Sequence, residues 1–197
     1  NKDHLFYFIQ VGAHNGLKND PINKYIKQNG WNGILIEPQK NIFNELKENY
    51  KKFSKNLIYE NISISSKENE IELFSAKSGN KSTVASVRKH VVKRQLKRGD
   101  KLLKSVKVKS MTLKDLINKH SVKKIDLLQI DTEGYDFEVI KTLDLENFKP
   151  KIIQFEFGHL TPKECNDVVK YLSLNNYMIH WGGREGNAIA ILKYVKT

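Results

Sequence analysis

The sequence predicts an α/β fold: a mostly parallel sheet with helices on both faces and an antiparallel last strand. Three observations carry this prediction. Apolar strand segments alternate along the chain with segments of helical period. The first strand, residues 5–11, runs directly into Gly12-Ala13-His14-Asn15-Gly16. A buried strand ending in a glycine turn is how parallel α/β proteins bring backbone N–H groups close to a ligand. The last two strand segments, 177–181 and 188–194, are joined by a glycine-rich stretch that reads as a hairpin.

Taken in order, Asp20-Pro21 reads as a helix start, with Ile22, Tyr25 and Ile26 on one face and Gly30 as the stop. Strand two, residues 33–36, ends at Glu37-Pro38. Glu37 stands about 20 residues beyond the glycine loop, the spacing at which an acid meets a ribose hydroxyl pair. Loop, strand and acid in that order favour a nucleoside-containing ligand over a plain turn. A second helix covers 41–53, and 57–64 reads as one strand carrying Asn61 and Ser63 near its end. Those two could read an adenine edge, or Asn61 could simply fix a turn.

A short alternating strand at 70–74 precedes a polar loop and a strongly basic stretch. Within it, Val84, Val87, Val91 and Leu96 allow a weakly apolar helix. Residues 84–104 are expected to be a basic insertion or lid, a mobile cover that shapes a site and does no chemistry. Residues 106–108 fit a strand, and 112–120 a helix capped by Thr112 with Asp115 at the third position. The fourth strand, 125–130, ends at Asp131-Thr132-Glu133-Gly134-Tyr135-Asp136. The fifth, 152–157, carries Glu156 and is followed by Gly158-His159, and a helix over 162–174 follows. A carboxylate inside an apolar strand is costly unless paired or functional.

With 197 residues the chain is long enough for one α/β domain, and the expectation is a single domain over 1–197 taken from a longer polypeptide. No apolar run reaches the length of a membrane span, and the single cysteine, Cys165, excludes an internal disulfide framework. A cytoplasmic location is the simplest expectation. The net charge of +12 permits anionic partners, but lysines are spread over nearly every helix candidate, as on an ordinary solvated face.

The segments IQVGAHNG, ILIEP, NISIS, MTLKDL, IDLLQIDTEGYDFEVIKTL and IIQFE occur in this order between residues 5 and 157. Together they resemble the FkbM family of S-adenosylmethionine-dependent methyltransferases. The resemblance implies a seven-stranded Rossmann-like sheet and O-methylation, most often of sugar or polyketide hydroxyls. It also implies S-adenosyl-L-methionine as cofactor, bound by Gly12, Ala13, His14, Asn15 and Gly16, by Glu37 and Pro38, by Asn61 and Ser63, and by Asp131. Two residues depart from common family forms: Gln10 stands where an acid often precedes the loop, and Gln129 where a lysine often precedes the aspartate.

Methyl transfer to an alcohol needs alignment and a group that takes the hydroxyl proton. Asp131, Glu133, Glu156 and His159 are the expected catalytic residues, and Asp136 lies among them in the chain. Three of them have a plainer role open: Asp131 could hold the cofactor's amino group, Glu133 could cap a helix, and His159 could be structural. No spacing is diagnostic of a metal site, and the expectation is catalysis without one. A sugar or glycan is the expected acceptor, with further enzymatic domains in the same polypeptide. The alternative is a nucleic-acid-directed methyltransferase or a basic nucleic-acid-binding module. Nucleic acid is the less favoured partner, because the basic stretch lacks interleaved aromatics for base stacking.

Overall fold

In a computed structural model, which describes residues 5–17, 20–66, 69–76, 85–95, 103–182 and 186–193, the apolar run ahead of Gly12 is a central strand. This strand, β1 (Tyr7–Val11), leads through the glycine loop to α1 (Asn23–Asn29) and β2 (Asn32–Ile36). After α2 (Lys40–Asn49) and a 3-10 segment (Lys51–Asn56) comes β3 (Leu57–Glu60). Next are β4 (Ser63–Ile64), β5 (Asn69–Ala76), β6 (Ala85–Ser86), α3 (Lys89–Gln95) and β7 (Leu103–Met111). The chain continues with α4 (Leu113–Lys119), β8 (Leu127–Ile130), α5 (Asp136–Lys141), β9 (Ile152–Glu156) and α6 (Pro162–Leu174). A hairpin of β10 (Tyr177–Trp181) and β11 (Asn187–Leu192) completes the described elements.

The larger sheet has the order β10-β11-β9-β8-β1-β2-β3. Its pairs are parallel from β3 to β9, and β11 runs antiparallel to both β9 and β10. Successive residues of a strand face opposite sides, so Ile9 and Val11 join the core under α4, α5 and α6, while Phe8 joins the core under α1 and α2. Both faces of β1, β2 and β8 are covered, which explains why their buried positions are apolar apart from Gln10 and Gln129. Chain order reverses between β1 and β8, and crevices for ligands form at such switch points beyond the strands' carboxyl ends.

Gly33 shows how tightly β1 and β2 are matched. A Cβ there would lie 2.3 Å from the Phe8 carbonyl oxygen. Gly33→Ala is expected to lower stability by about 1–3 kcal/mol, read as a lower midpoint in thermal unfolding. An unchanged midpoint would show that the two strands can part at no cost.

Several sequence expectations are corrected. The single strand expected over 57–64 breaks at Asn61: β3 stays in the larger sheet, and β4 pairs with β7 in a second sheet of order β4-β7-β5-β6. Asn61 Nδ2 donates to the carbonyls of Glu37 (2.8 Å) and Pro38 (3.0 Å), which turns the chain there. The strand expected over 106–108 extends to all nine residues of β7, in antiparallel register with β5 from Asn69↔Ser110 to Ala76↔Leu103. The basic stretch has more burial than expected, with Val91 and Val92 of α3 at 1% and 0% exposure. Val84, Leu96 and the rest of the 96–102 segment lie outside the described residues. Helix α1 begins at Asn23 instead of Pro21, because Asp20 Oδ1 accepts from the Ile22 N–H and closes a turn ahead of it. The Thr112 cap forms as read, and α6 gains a cap that the sequence reading did not name. Thr112 accepts from Asp115 N, and Thr161 with Glu164 makes a capping box on α6.

Candidate active site

The carboxyl ends of β1, β2 and β8 open on a cavity of about 240 Å³. Gly12, Ala13, His14, Glu37, Pro38, Ser63, Asp131 and Glu133 all line it, although they come from four separate stretches of chain. Gly12 has φ +83°, and a Cβ on it would stand 1.9 Å from the Asp131 carbonyl oxygen. Only glycine lets the loop lie against the end of β8. The Gly12 and Ala13 N–H groups both donate to the Ile36 carbonyl, at 3.0 and 2.9 Å. The loop is therefore tied to β2 and places the next residue, His14, over Glu37.

Glu37 is 3% exposed, at the end of β2. Its Oε2 accepts from the His14 N–H at 3.0 Å and its Oε1 from the Gln39 N–H at 2.8 Å. Burial pushes its pKa from 4.5 up to about 7, the two backbone donors offsetting part of the rise. A buried carboxylate held this way has lone pairs left for a ligand's hydroxyl protons.

The two departures noted in the sequence meet in space. Gln10 on β1 and Gln129 on β8 are register partners, both line the cavity, and they are 2% and 3% exposed. The Oε1 atoms of both are buried without a hydrogen-bond partner. Such acceptors are costly unless a ligand donates to them. Gln10 Nε2 donates to Asp20 Oδ1 at 3.2 Å, and Asp20 Oδ2 accepts from the Tyr50 hydroxyl at 3.0 Å. Asp20 also lines the cavity, so a negative charge stands close behind Gln10. In the sequence Asp20 reads only as a helix start; no local signal ties it to a strand ten residues earlier.

Asn15, Gly16 and Asn61 lie outside the cavity lining. The Asn15 carbonyl accepts from Asn49 Nδ2 at 2.8 Å. Gly16, at φ +70°, passes so close to Tyr50 that a Cβ would lie 2.2 Å from its ring. Asn15 and Gly16 shape the glycine loop from behind, whereas Asn61 holds the Glu37-Pro38 turn by its carbonyls.

The cavity's other wall is the turn after β8. Glu133 adopts a left-handed φ of +54°, unusual for a side chain of its size. Its carbonyl accepts from Ser86 Oγ at 2.9 Å, and its Oε2 accepts from Gln95 Nε2 at 2.9 Å. His159 Nε2 stands 3.3 Å from Glu133 Oε2, 3.7 Å from Glu156 Oε1 and 2.8 Å from Gln95 Nε2. Glu156 and His159 thus sit beside the cavity, joined to its lining through Glu133. Asp136 has a different task. It is wholly buried, accepts from Thr132 Oγ1 (2.9 Å) and the Glu156 N–H (3.1 Å), and its pKa is raised by that burial. It staples the turn to the end of β9.

Residues 85–95 grip this turn. Ser86 and Gln95 bond Glu133, while Arg88 pairs with Glu164 at 2.5 Å on α6. Ser86→Ala is expected to weaken that grip, read as faster hydrogen exchange over 86–95 with the rate in β1 unchanged. Equal exchange in variant and parent would show that Ser86 carries none of it.

Residues 10–179 match the sequence profile of the methyltransferase FkbM domain. The chain belongs to the FkbM family of S-adenosylmethionine-dependent methyltransferases. The fold agrees with solved structures of low sequence identity. A methyltransferase FkbM from Methylobacillus flagellatus superposes with a TM-score of 0.61 at 15% identity, over 95% of this chain and 43% of that one. The METTL16 MTase domain gives 0.57 at 15% identity, over 99% and 62%. The N-terminal domain of human METTL16 in complex with SAH gives 0.52 at 15%, over 99% and 64%. The chain thus spans less than two thirds of the length of these relatives. No curated protein matches it in sequence. Among the described residues of this FkbM chain, no helix is long and apolar enough to cross a membrane.

Proposed function

We propose that this FkbM domain, acting as a single catalytic unit, moves the methyl group of S-adenosylmethionine to a hydroxyl of a sugar or glycan. The observation that carries this is the placement of proton acceptors, Glu133 and His159 within 3.3 Å of each other, beside a cavity whose remote end holds a buried carboxylate. An alcohol needs such a partner, because it attacks poorly until its proton is removed.

Bound in the cavity, S-adenosylmethionine supplies an electrophilic methyl on its sulfonium. The Glu37 carboxylate would accept hydrogen bonds from the ribose hydroxyls. Gln10 Oε1 and Gln129 Oε1 accept from the amino group at the methionine end, with Asp20 behind Gln10 supplying the charge that Gln10 lacks. Ser63 and Ile62 border the adenine. The acceptor hydroxyl lies between the Asp131-Thr132-Glu133 turn and His159. Its proton passes to Glu133 or His159 as the new oxygen–carbon bond forms and the sulfur–carbon bond breaks. Gln95, Glu133, Glu156 and His159 offer the density of polar groups that suits a polyhydroxylated acceptor.

Mass spectrometry of glycans and RNA incubated with the protein and methyl-labelled S-adenosylmethionine tests the reading. The expected product is an O-methyl sugar. Label found only on RNA, or only on nitrogen, would overturn it.

A further inference from the structure

We infer that Glu133, Glu156, His159 and Gln95 form a binding site for one divalent cation at the acceptor end of the cavity. The inference rests on the methyl-transfer reading above and changes one role in it: Glu133 and His159 become ligands, and Asp131 becomes the proton acceptor. One ligand atom from each of Glu133, Glu156 and His159 lies within 4.8 Å of the other two. His159 Nε2 is 3.3 Å from Glu133 Oε2 and 3.7 Å from Glu156 Oε1. A six-coordinate cation with bonds of about 2.1 Å holds neighbouring ligands about 3 Å apart, so small side-chain rotations close the set.

Gln95 adds the second observation. Its amide Nε2 stands 2.8 Å from His159 Nε2 and 2.9 Å from Glu133 Oε2, while its Oε1 is buried without a partner. The positive end of the amide thus points at two of the groups a cation would take. Turning the amide over brings its oxygen to the same place, at octahedral spacing from both, with Nε2 taking the buried position that the oxygen leaves. Three oxygens and one imidazole nitrogen suit manganese or magnesium, and zinc as a second choice. The groups come from three elements: the β8 turn, the end of β9 with its following loop, and α3. Glu133 is shared with the cavity lining, so a cation here adjoins the methyl acceptor.

A hydroxyl bound to the cation loses its proton more readily. With Glu133 and His159 occupied as ligands, that proton passes to Asp131, which also lines the cavity. The oxygen bonds the methyl carbon, and the sulfur keeps the electron pair of the broken bond.

Titration of the chelator-treated protein with manganese(II), followed by electron paramagnetic resonance and calorimetry, tests the site. One ion per chain is expected. His159→Ala and Glu156→Gln should each weaken binding tenfold or more, and Gln95→Ala a few-fold. Glu138→Gln, at a residue of α5 that pairs with Lys141, should leave binding unchanged. Circular dichroism melts show which variants remain folded. No binding at millimolar manganese, or binding indifferent to both His159→Ala and Glu156→Gln, would overturn the inference. Failure here, with methyl transfer intact in chelator, leaves the methyltransferase reading standing. Manganese binding without any methyl transfer would instead count against that reading.

Discussion

Glu37→Gln should cut the affinity for S-adenosylmethionine by about 10- to 100-fold, the 1.5–3 kcal/mol carried by hydrogen bonds to a charged group. It should also remove a pH dependence from both binding and stability. In the unliganded protein the Glu37 pKa is raised from 4.5 to about 7 by burial. Between those values the folded chain holds a proton that the unfolded chain has released, so this group lowers stability as pH rises from about 4.5 to about 7 and adds nothing further above. The full loss is about 3 kcal/mol, since each pH unit across that window costs roughly 1.4 kcal/mol. Ribose hydroxyls donate best to the ionised form, so cofactor affinity should move the other way, falling as pH drops below about 7. Calorimetry and urea unfolding at pH 5 and 8 read both slopes. A Glu37→Gln variant with parental slopes would show that some other group titrates.

The second large effect is expected at the acceptor end. Glu133→Ala and His159→Ala should each lower turnover by about 100- to 10,000-fold, the range for loss of a proton-transfer group or of the ion that replaces it. His159 lies outside the cavity lining, so His159→Ala should leave cofactor affinity within a few-fold of the parent. Single-turnover kinetics at saturating cofactor separate the two quantities. If Glu133→Ala, His159→Ala, Glu156→Ala and Asp131→Ala all kept near-parental rates, the acceptor site would lie elsewhere.

Where the sequence is informative, the signal is local. β1, its glycine loop and Glu37 are legible because strand period, turn chemistry and spacing fall within one short stretch. Helix α6 is legible to its end residues, with Pro162 in its first turn and a helical apolar period up to Leu174. The break at Asn61 is hidden, since the apolar pattern continues across it and the partners of Asn61 are carbonyls more than twenty residues earlier. The second sheet is hidden for a related reason. Strand β7 has lysines along an exposed surface, and only its pairing with β5 marks it as a strand throughout.

The site divides in the same way. Gly12, Glu37 and Asp131 can be named from motif and spacing. Gln95 cannot: its contacts with Glu133 and His159 span 38 and 64 residues, and it sits in a stretch whose composition speaks only of charge. Gln10 and Gln129 are visible as lost charges. That they are neighbours in register, with their carbonyl oxygens left over, is a property of the β1–β8 pairing.

A crystal structure of the chain grown with S-adenosylhomocysteine decides where the cofactor lies. Ribose hydroxyls are expected within about 2.5–3.2 Å of the Glu37 carboxylate and the amino group beside Gln10 and Gln129, with the sulfur turned towards the Asp131-Thr132-Glu133 turn. A ligand bound elsewhere, or one in this cavity with its ribose away from Glu37, would contradict this placement.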